Sequence, residues 1–331
     1  MQFSTKHMKA VTATAYGAPE VLSLAQVPIP TPSDQEILVR VHAASVSAAD
    51  GMLRQGTPKY GRLVTGLGKP KQQIPGTGFS GEVVAVGTQV KQFKVGDHVL
   101  GETGLSFGAH AEYVLISEDG VVVQKPAHLS FEAASTICDG AVTAMNFLQH
   151  LIELKPGQRI LINGASGSMG TAAVQLAKIW GAEVTGVCSG RNAELVKSLG
   201  ADHVIDYTQT DFTEQENTYD VIFDTVGKSS FSAAKRALTA HGVYLSPVLS
   251  LPLLAQMTWT SYFGAQKALF SATGMRPAPE VRALLIDLME LMAAHDFQIV
   301  IDRRYPLDEI VEAHRYVDPG HKRGNVILHV A

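Results

Sequence analysis

The pattern of apolar positions along this chain changes near Leu129. Before it, apolar runs are short and broken by glycine and proline: Ile37–Val41, Gly81–Gly87, Val95–Leu100 after a turn signal, and Ala111–Ile116. Short runs of this kind predict strands closed by tight turns, and together a small, barrel-like, β-rich domain. After Leu129 a helical run opens at Phe131 with Ser130 as its N-cap. From Arg159 onward strands alternate with helices. Strands are predicted at Arg159–Ile162, Glu183–Cys188, His203–Ile205, Asp220–Phe223 and Gly242–Leu245, and helices over Met169–Trp180, Asn192–Leu199 and Phe231–Leu238. Gly181 and Gly200 stand where helix C-caps belong. Alternation of this type predicts an α/β fold with a doubly wound parallel sheet, with an edge strand near Lys267–Ser271. The tail adds helices over Glu280–Ala294 and Leu307–Val317 and a strand over Asn325–Val330. The parallel sheet can close without them, so they are free to complete the first domain.

Composition fits this picture. The 331 residues suffice for about two domains, and 46% hydrophobic against 18% charged residues gives each a core. A net charge of −4, with no basic stripe, argues against nucleic acid as a partner. No uncharged run approaches a membrane span. Met1–Ala10 lacks the apolar stretch of an export signal, so the cytoplasm is the expected location. Two cysteines, Cys138 and Cys188, make a disulfide framework improbable and a four-cysteine zinc site impossible within one chain.

The candidate chemistry begins where the first strand of the alternating region ends. Gly164-Ala165-Ser166-Gly167-Ser168-Met169-Gly170 follows Arg159–Ile162 and opens a helix. A tight turn there aims backbone N–H groups and a helix N-terminus at an anion. Gly167 removes a Cβ from the path of a pyrophosphate, and Gly170 lets helix and strand pack closely. The first glycine of the dinucleotide fingerprint is replaced by Ala165, yet the strand–turn–helix context is the confirming one for a Rossmann domain. About 20 residues on, an NAD-binding chain places an acid for the ribose 2′-hydroxyl. Here the second strand runs into Cys188-Ser189-Gly190-Arg191-Asn192, with no carboxylate. Arg191 can pair with a 2′-phosphate and Ser189 can donate to it, which favours NADPH. Both residues also suit a helix cap, and use of both cofactors stays open.

The chain has 12 histidines. His42, His98 and His110 lie in the β-rich part, none in a His-x-x-x-His or Cys-x-x-Cys spacing, so no metal site is expected.

Several further segments carry a resemblance. They are Ser45-Val46-Ser47-Ala48-Ala49-Asp50, Ile74–Gly81, Val95–Val99, Gly108–Tyr113, the glycine loop, Gly200–Tyr207, Phe223-Asp224-Thr225-Val226-Gly227 and Gly320–Leu328. As a set the sequence resembles the medium-chain dehydrogenase/reductase superfamily, in its zinc-free quinone oxidoreductase (ζ-crystallin-like) branch. The resemblance implies a GroES-like catalytic domain from residues 1–129 and 278–331 and an inserted Rossmann NADP-binding domain from 130–277. Zinc members carry Gly-His-Glu where this chain has Gly76-Thr77-Gly78. The zinc-free branch often has an acid at the place of Gly78, a departure that concerns the shape of the pocket.

The resemblance also implies site residues. Ser47 stands where an asparagine commonly contacts the nicotinamide or substrate region, and Tyr60 falls on a pocket-lining tyrosine of some relatives. Cofactor contacts are implied for Thr143, for Ala165, Ser166, Gly167, Ser168, Met169 and Gly170 of the loop, and for Ser189, Arg191 and Tyr207. Val226, Ser246 and Pro247 follow strand ends, and Asn325 lies in the tail segment. The expected reaction is hydride transfer from NADPH to a small conjugated acceptor, a quinone or an α,β-unsaturated carbonyl, without zinc. No proton donor is identified: Ser47, Tyr60 and solvent remain open, and Asp50 reads as a loop anchor. Two alternatives stand beside this one: a zinc-type NADP-dependent alcohol dehydrogenase, and an NADPH-binding structural or sensor protein without turnover. Pairing of edge strands between two copies would give a homodimer.

Overall fold

The structure, a computed structural model, describes residues 6–330. The reading of Met1–Ala10 falls partly on residues 1–5, outside the described residues. In chain order the strands are β1 (His7–Ala13), β2 (Leu22–Pro28), β3 (Glu36–Val46), β4 (Gly78–Val86), β5 (His98–Glu102), β6 (Tyr113–Ser117), β7 (Val121–Gln124), β8 (Arg159–Asn163), β9 (Glu183–Cys188), β10 (His203–Asp206), β11 (Tyr219–Asp224), β12 (Leu238–Ser246), β13 (Lys267–Phe270), β14 (Ile301–Pro306) and β15 (Asn325–His329). The chain forms two compact units, one of residues 1–139, 274–287 and 301–331 and one of residues 140–273 and 288–300.

The first unit is β-rich. Its main sheet runs β14-β15-β3-β4-β5-β7, with β6 also pairing β3, and β1 and β2 form an antiparallel pair. β3 is central because its 11 residues alternate little and bury on both faces. The tail closes this unit. β15 pairs β3 antiparallel, with Val326 opposite Val46. Leu307, Ile310, Ala313 and Val317 pack into the core formed by Val39, Val41, Phe79 and Val99. The amphipathic helix Ile310–Val317 thus supplies an apolar face that the early strands lack.

The second unit is a parallel sheet in the order β10-β9-β8-β11-β12-β13. Every pairing is parallel. The chain starts in the middle at β8, moves outward to β10, then crosses to β11 and proceeds to β13. This is the doubly wound arrangement, and the reversal falls between β8 and β11. The middle strands read as unbroken apolar runs because helices cover both faces; Ile160, Leu161 and Ile162 are fully buried. β13 is an edge strand, in the place expected near Lys267.

The fold departs locally from these expectations. The helix expected over Phe231–Leu238 ends at Ala234, and Leu238 instead opens β12 opposite Tyr219, where its side chain is buried. Burial of Leu238 in the sheet outweighs its helical propensity. The early strand His7–Ala13 and its partner Leu22–Pro28, and the helix Leu251–Tyr262, were not signalled by periodicity. That helix begins at Ser250, whose hydroxyl accepts from the Leu253 amide. No helix among the described residues is long and apolar enough to cross a membrane.

Candidate functional site

In the second unit the parallel strands all present their carboxyl ends along one edge, and the expected cofactor residues follow those ends. The loop 164–170 leaves β8, Ser189 and Arg191 leave β9, Tyr207 leaves β10, Val226 follows β11, and Ser246 and Pro247 end β12. A residue placed after each of five parallel strands is therefore brought to one rim by topology alone. Thr143 belongs to the helix Val142–Met145 of this unit. Asn325 opens β15 in the first unit, where it is buried.

The loop is held by tight steric constraints. Gly164 has φ +83°, and its amide and that of Ala165 both donate to the Val187 carbonyl at 3.0 Å, tying the loop to β9. A Cβ on Gly170 would lie 2.1 Å from the Gly164 oxygen and 2.7 Å from Ala165 Cα, so only glycine allows the helix Ser168–Ile179 this close to the turn. At Gly167 a Cβ would meet nothing nearer than the Gly164 oxygen at 3.4 Å. The protein leaves that side of Gly167 open. Gly167 is the N-cap of a 12-residue helix, and no side chain caps it.

A buried amide joins this loop to the next turn. Asn192 Nδ2 donates to Ser166 Oγ at 3.0 Å, while its backbone N–H donates to the Ser189 carbonyl at 2.8 Å. Asn192 Oδ1 is buried with no hydrogen-bond partner. Arg191 projects from this turn and is exposed. Asp206, which sequence reasoning passed over, lies behind the turn: a Cβ on Gly190 would be 2.5 Å from its Oδ2. The amide and hydroxyl of Thr208, and then the Gly190 amide, hold the Asp206 carboxyl below its usual range.

Asp224 is the second residue that the sequence reading quoted without assigning. It is fully buried at the end of β11. Its carboxylate accepts from Asn163 Nδ2 at 3.0 Å, the amides of Gly227 (3.0 Å) and Ser229 (2.8 Å), and the Tyr244 hydroxyl at 2.9 Å. Burial and this carboxylate push the Tyr244 phenol strongly up. Asp224 thus ties the end of β8 to the turn that carries Val226. The signal was present in Phe223-Asp224-Thr225-Val226-Gly227, since an acid ending a buried strand has to be satisfied by the turn it precedes.

The pocket candidates of the first unit fare differently. Ser47 is buried and caps the helix Ala48–Gln55. Its hydroxyl donates to Asp50 Oδ2 at 2.8 Å and accepts from the Asp50 amide at 3.2 Å, while the Ser47 amide donates to the same carboxylate at 2.8 Å. This is a reciprocal capping box. Asp50 is the anchor of that turn. Tyr60 is 46% exposed in the turn Lys59–Gly61. Neither residue lines a cavity of about 600 Å³ in this unit, whose walls include Glu102, Thr103, Tyr113, Gly274 and Arg276.

Among the described residues, no group of three or more His, Cys, Asp and Glu side chains could hold a metal ion. His42 stacks on Phe131 with ring centroids 4.2 Å apart, and His98 meets the same ring edge-on at 5.0 Å. His110 is fully buried, its Nε2 2.8 Å from the Ser45 carbonyl.

Comparison with known proteins decides the family. Residues 33–127 match the alcohol dehydrogenase GroES-like domain, and residues 199–328 match the zinc-binding dehydrogenase family. The quinone-oxidoreductase QR1, chloroplastic, of Triphysaria versicolor is 32% identical over 98% of both chains. The chain belongs to the medium-chain dehydrogenase/reductase superfamily, in its quinone oxidoreductase branch. The NAD(P)H oxidoreductase RTN4IP1, mitochondrial, of Mus musculus is 33% identical over 98% of this chain and 89% of its own. A solved quinone oxidoreductase from Coxiella burnetii superposes with a TM-score of 0.87 at 30% identity, covering 98% of this chain and all of that one. This member of the superfamily is an oxidoreductase, with the GroES-like and Rossmann-like units described above. Its departure at Gly78 has a steric cause: a Cβ there would lie 2.6 Å from Ser45 Oγ and 2.8 Å from the Ser135 carbonyl oxygen. A side chain at 78 would require the Ser45 side chain and the Ser135 backbone to shift.

Proposed function

We propose that this chain is an NADPH-dependent oxidoreductase that passes hydride to a quinone or an α,β-unsaturated carbonyl without zinc. The observation that carries the reading is the cradle at Gly164–Gly170: a side-chain-free face on Gly167, an uncapped helix N-terminus and a carboxyl-edge position beside the strand reversal. An NAD(P)H oxidoreductase and a quinone oxidoreductase among its relatives support it.

The residues fit the cofactor. Ala165 to Gly170 would hold the pyrophosphate, with the helix Ser168–Ile179 supplying its positive end. Ser189 and Arg191 would take the 2′-phosphate and Tyr207 the adenosine side. Val226, Ser246 and Pro247 would lie along ribose and nicotinamide, Thr143 beside them, and Asn325 would contribute from the tail. When bound, NADPH supplies the hydride. The protein fixes the loop through Asn192 and the β11 turn through Asp224, so the binding groups are ordered beforehand. A conjugated acceptor disperses the incoming charge onto its oxygen and depends less on a Lewis acid than a simple ketone does. The reading extends to a homodimer paired through β13 and to a cytoplasmic enzyme.

The test is NADPH oxidation followed by absorbance over quinones, enones and aldehydes, with and without chelator, beside direct titration of NADPH binding. Turnover of quinones or enones that survives chelation is the expected result. Turnover restricted to aldehydes and abolished by chelator, with stoichiometric zinc by metal analysis, would establish the second reading, a zinc-type alcohol dehydrogenase. The match to a family described as zinc-binding dehydrogenases is what favours that alternative. Tight NADPH binding without turnover of any acceptor would instead indicate a structural or sensor role.

A further inference from the structure

Between Asp50 and Glu82 the chain carries no acidic residue and five basic ones, Arg54, Lys59, Arg62, Lys69 and Lys71, although the whole has a net charge of −4. Two of the five hold the fold. Arg54 pairs with Asp318, while Arg62 donates to the Gly56 and Gln55 carbonyls and lies over the Tyr16 ring. Lys59, Lys69 and Lys71 are exposed. Apolar side chains stand among them: Leu63 is 71% exposed, Leu67 72% and Val64 50%, with Tyr60 beside them. The segment is braced in this arrangement. The Tyr16 hydroxyl donates to the Gly66 carbonyl at 2.7 Å, and the Lys71 amide donates to the Thr65 carbonyl at 2.8 Å, so residues 65–71 close into a loop that carries Leu67. A Cβ on Gly61 or Gly68 would meet nothing within 4 Å, so the backbone here borders open space. The neighbouring groove, walled by Tyr16, Leu53 and Val64, takes in neither Leu63 nor Leu67.

Single exposed leucines are ordinary, but two of them beside a valine and a tyrosine make a patch that calls for a cover. The lysines narrow what that cover is. An apolar pocket on a protein partner would take the leucines and leave three ammonium groups unmatched. A nucleic acid would take the lysines and leave the leucines in water. An anionic bilayer takes both: aliphatic tips enter the boundary between headgroups and acyl chains, and lysines pair with lipid phosphates and carboxylates. Lysine stems are long enough to lie along the apolar layer while their ammonium groups stay among the headgroups, and tyrosine favours the same depth. We propose that residues 59–71 form a docking surface for an anionic lipid bilayer, with Leu63 and Leu67 inserted and Lys59, Lys69 and Lys71 on the headgroups. No helix among the described residues is built to span a membrane, so the attachment is peripheral and reversible. It needs neither cofactor nor turnover, and stands or falls apart from the function proposed above.

The test is cosedimentation of the full chain with vesicles of phosphatidylcholine alone and of phosphatidylcholine with about one third phosphatidylserine. Wild type should pellet with the anionic vesicles at about 0.1 M salt, stay in solution with the neutral ones, and be released at about 1 M salt, where the Debye length shrinks from about 10 Å to about 3 Å. The triple variant Lys59→Gln, Lys69→Gln, Lys71→Gln should bind the anionic vesicles about 100-fold more weakly, roughly fivefold for each lysine. The double variant Leu63→Ser, Leu67→Ser should lose at least tenfold. Both should keep the wild-type melting temperature, because the replaced side chains are exposed. The two native cysteines are buried, so a solvatochromic label on Leu67→Cys reports this loop and should shift to the blue on anionic vesicles. Wild type left in solution with anionic vesicles overturns the proposal; if light scattering then shows self-association that the leucine variant abolishes, the cover is a second copy. Wild-type binding by both variants, or a label that does not shift, places any membrane contact elsewhere and also overturns it. Loss in the lysine variant alone, with the leucine variant binding as wild type, reduces the patch to a charge contact of the kind an acidic protein makes, and overturns the bilayer as its partner.

Discussion

Substituting the two glycines of the loop separates folding from binding. In Gly170→Ala the new methyl would sit 2.1 Å from the Gly164 oxygen and 2.7 Å from Ala165 Cα, well inside the 3.0 Å that real contacts keep. Both obstacles are backbone, so neither can rotate away. Alanine gains about 1 kcal/mol of helix propensity over glycine, but overpacking against fixed atoms costs about 1–3 kcal/mol and occasionally more. The second effect wins, because relief requires moving the helix Ser168–Ile179 off the turn that Val187 anchors. The net loss is expected at about 1–2 kcal/mol, a fall of roughly 2–8 °C in melting temperature for a unit of this size. NADPH affinity should drop as well, since the helix end moves. In Gly167→Ala the methyl meets only the Gly164 oxygen at 3.4 Å, an ordinary contact. That variant should melt within about 1 °C of wild type yet bind NADPH at least tenfold more weakly, because its methyl occupies the approach of the pyrophosphate. Differential scanning fluorimetry and fluorescence titration of NADPH read the two effects separately. A G167A protein that binds NADPH with wild-type affinity would refute the cradle, whatever G170A does.

Three other outcomes follow from the same structure. Arg191→Glu should lower kcat/KM for NADPH about 10–100-fold and leave NADH nearly unaffected, since it exchanges a charge-assisted bond to the 2′-phosphate for repulsion; equal losses with both cofactors would remove Arg191 from that role. Asp224→Ala strands the amides of Gly227 and Ser229 and the Tyr244 hydroxyl, and should destabilise the protein by about 3 kcal/mol or more in chemical denaturation. His314 is fully buried, and burial lowers its pKa from 6.5 to about 3. The unfolded chain therefore takes up a proton below pH 6.5 that the folded chain refuses until about 3, so stability is lost as pH falls through that window. Relative to His314→Leu, wild type should lose about 2 kcal/mol between pH 7.5 and 5; parallel stability curves for the two proteins would contradict this.

What the sequence made legible is what depends on near neighbours. The glycine loop could be read because strand, turn and helix follow one another within a dozen residues, and the parallel sheet because each of its strands is a self-contained apolar run. The tail was legible by remainder: it belonged to no βαβ unit, and it packs with Val39 and Phe79. β1 and β2 stayed hidden because His7–Ala13 buries alternate residues among polar ones and gains its order from a partner whose own pattern is mostly exposed. The helix Leu251–Tyr262 was obscured because its apolar residues are not gathered on one face: Leu251, Trp259 and Tyr262 are exposed while Thr260 is buried.

The same distinction bears on the pocket candidates of the first unit. Ser47 attracted notice as a hydroxyl in a motif, yet Ser47-Ala48-Ala49-Asp50 is also the local signature of a capping box, and the cap occupies it. A hydroxyl that donates to Asp50 at 2.8 Å has no second proton for an acceptor unless the helix start is given up. A polar group already satisfied by its neighbours in sequence is a poor candidate for chemistry, and Ser47, held in its cap, is one of these.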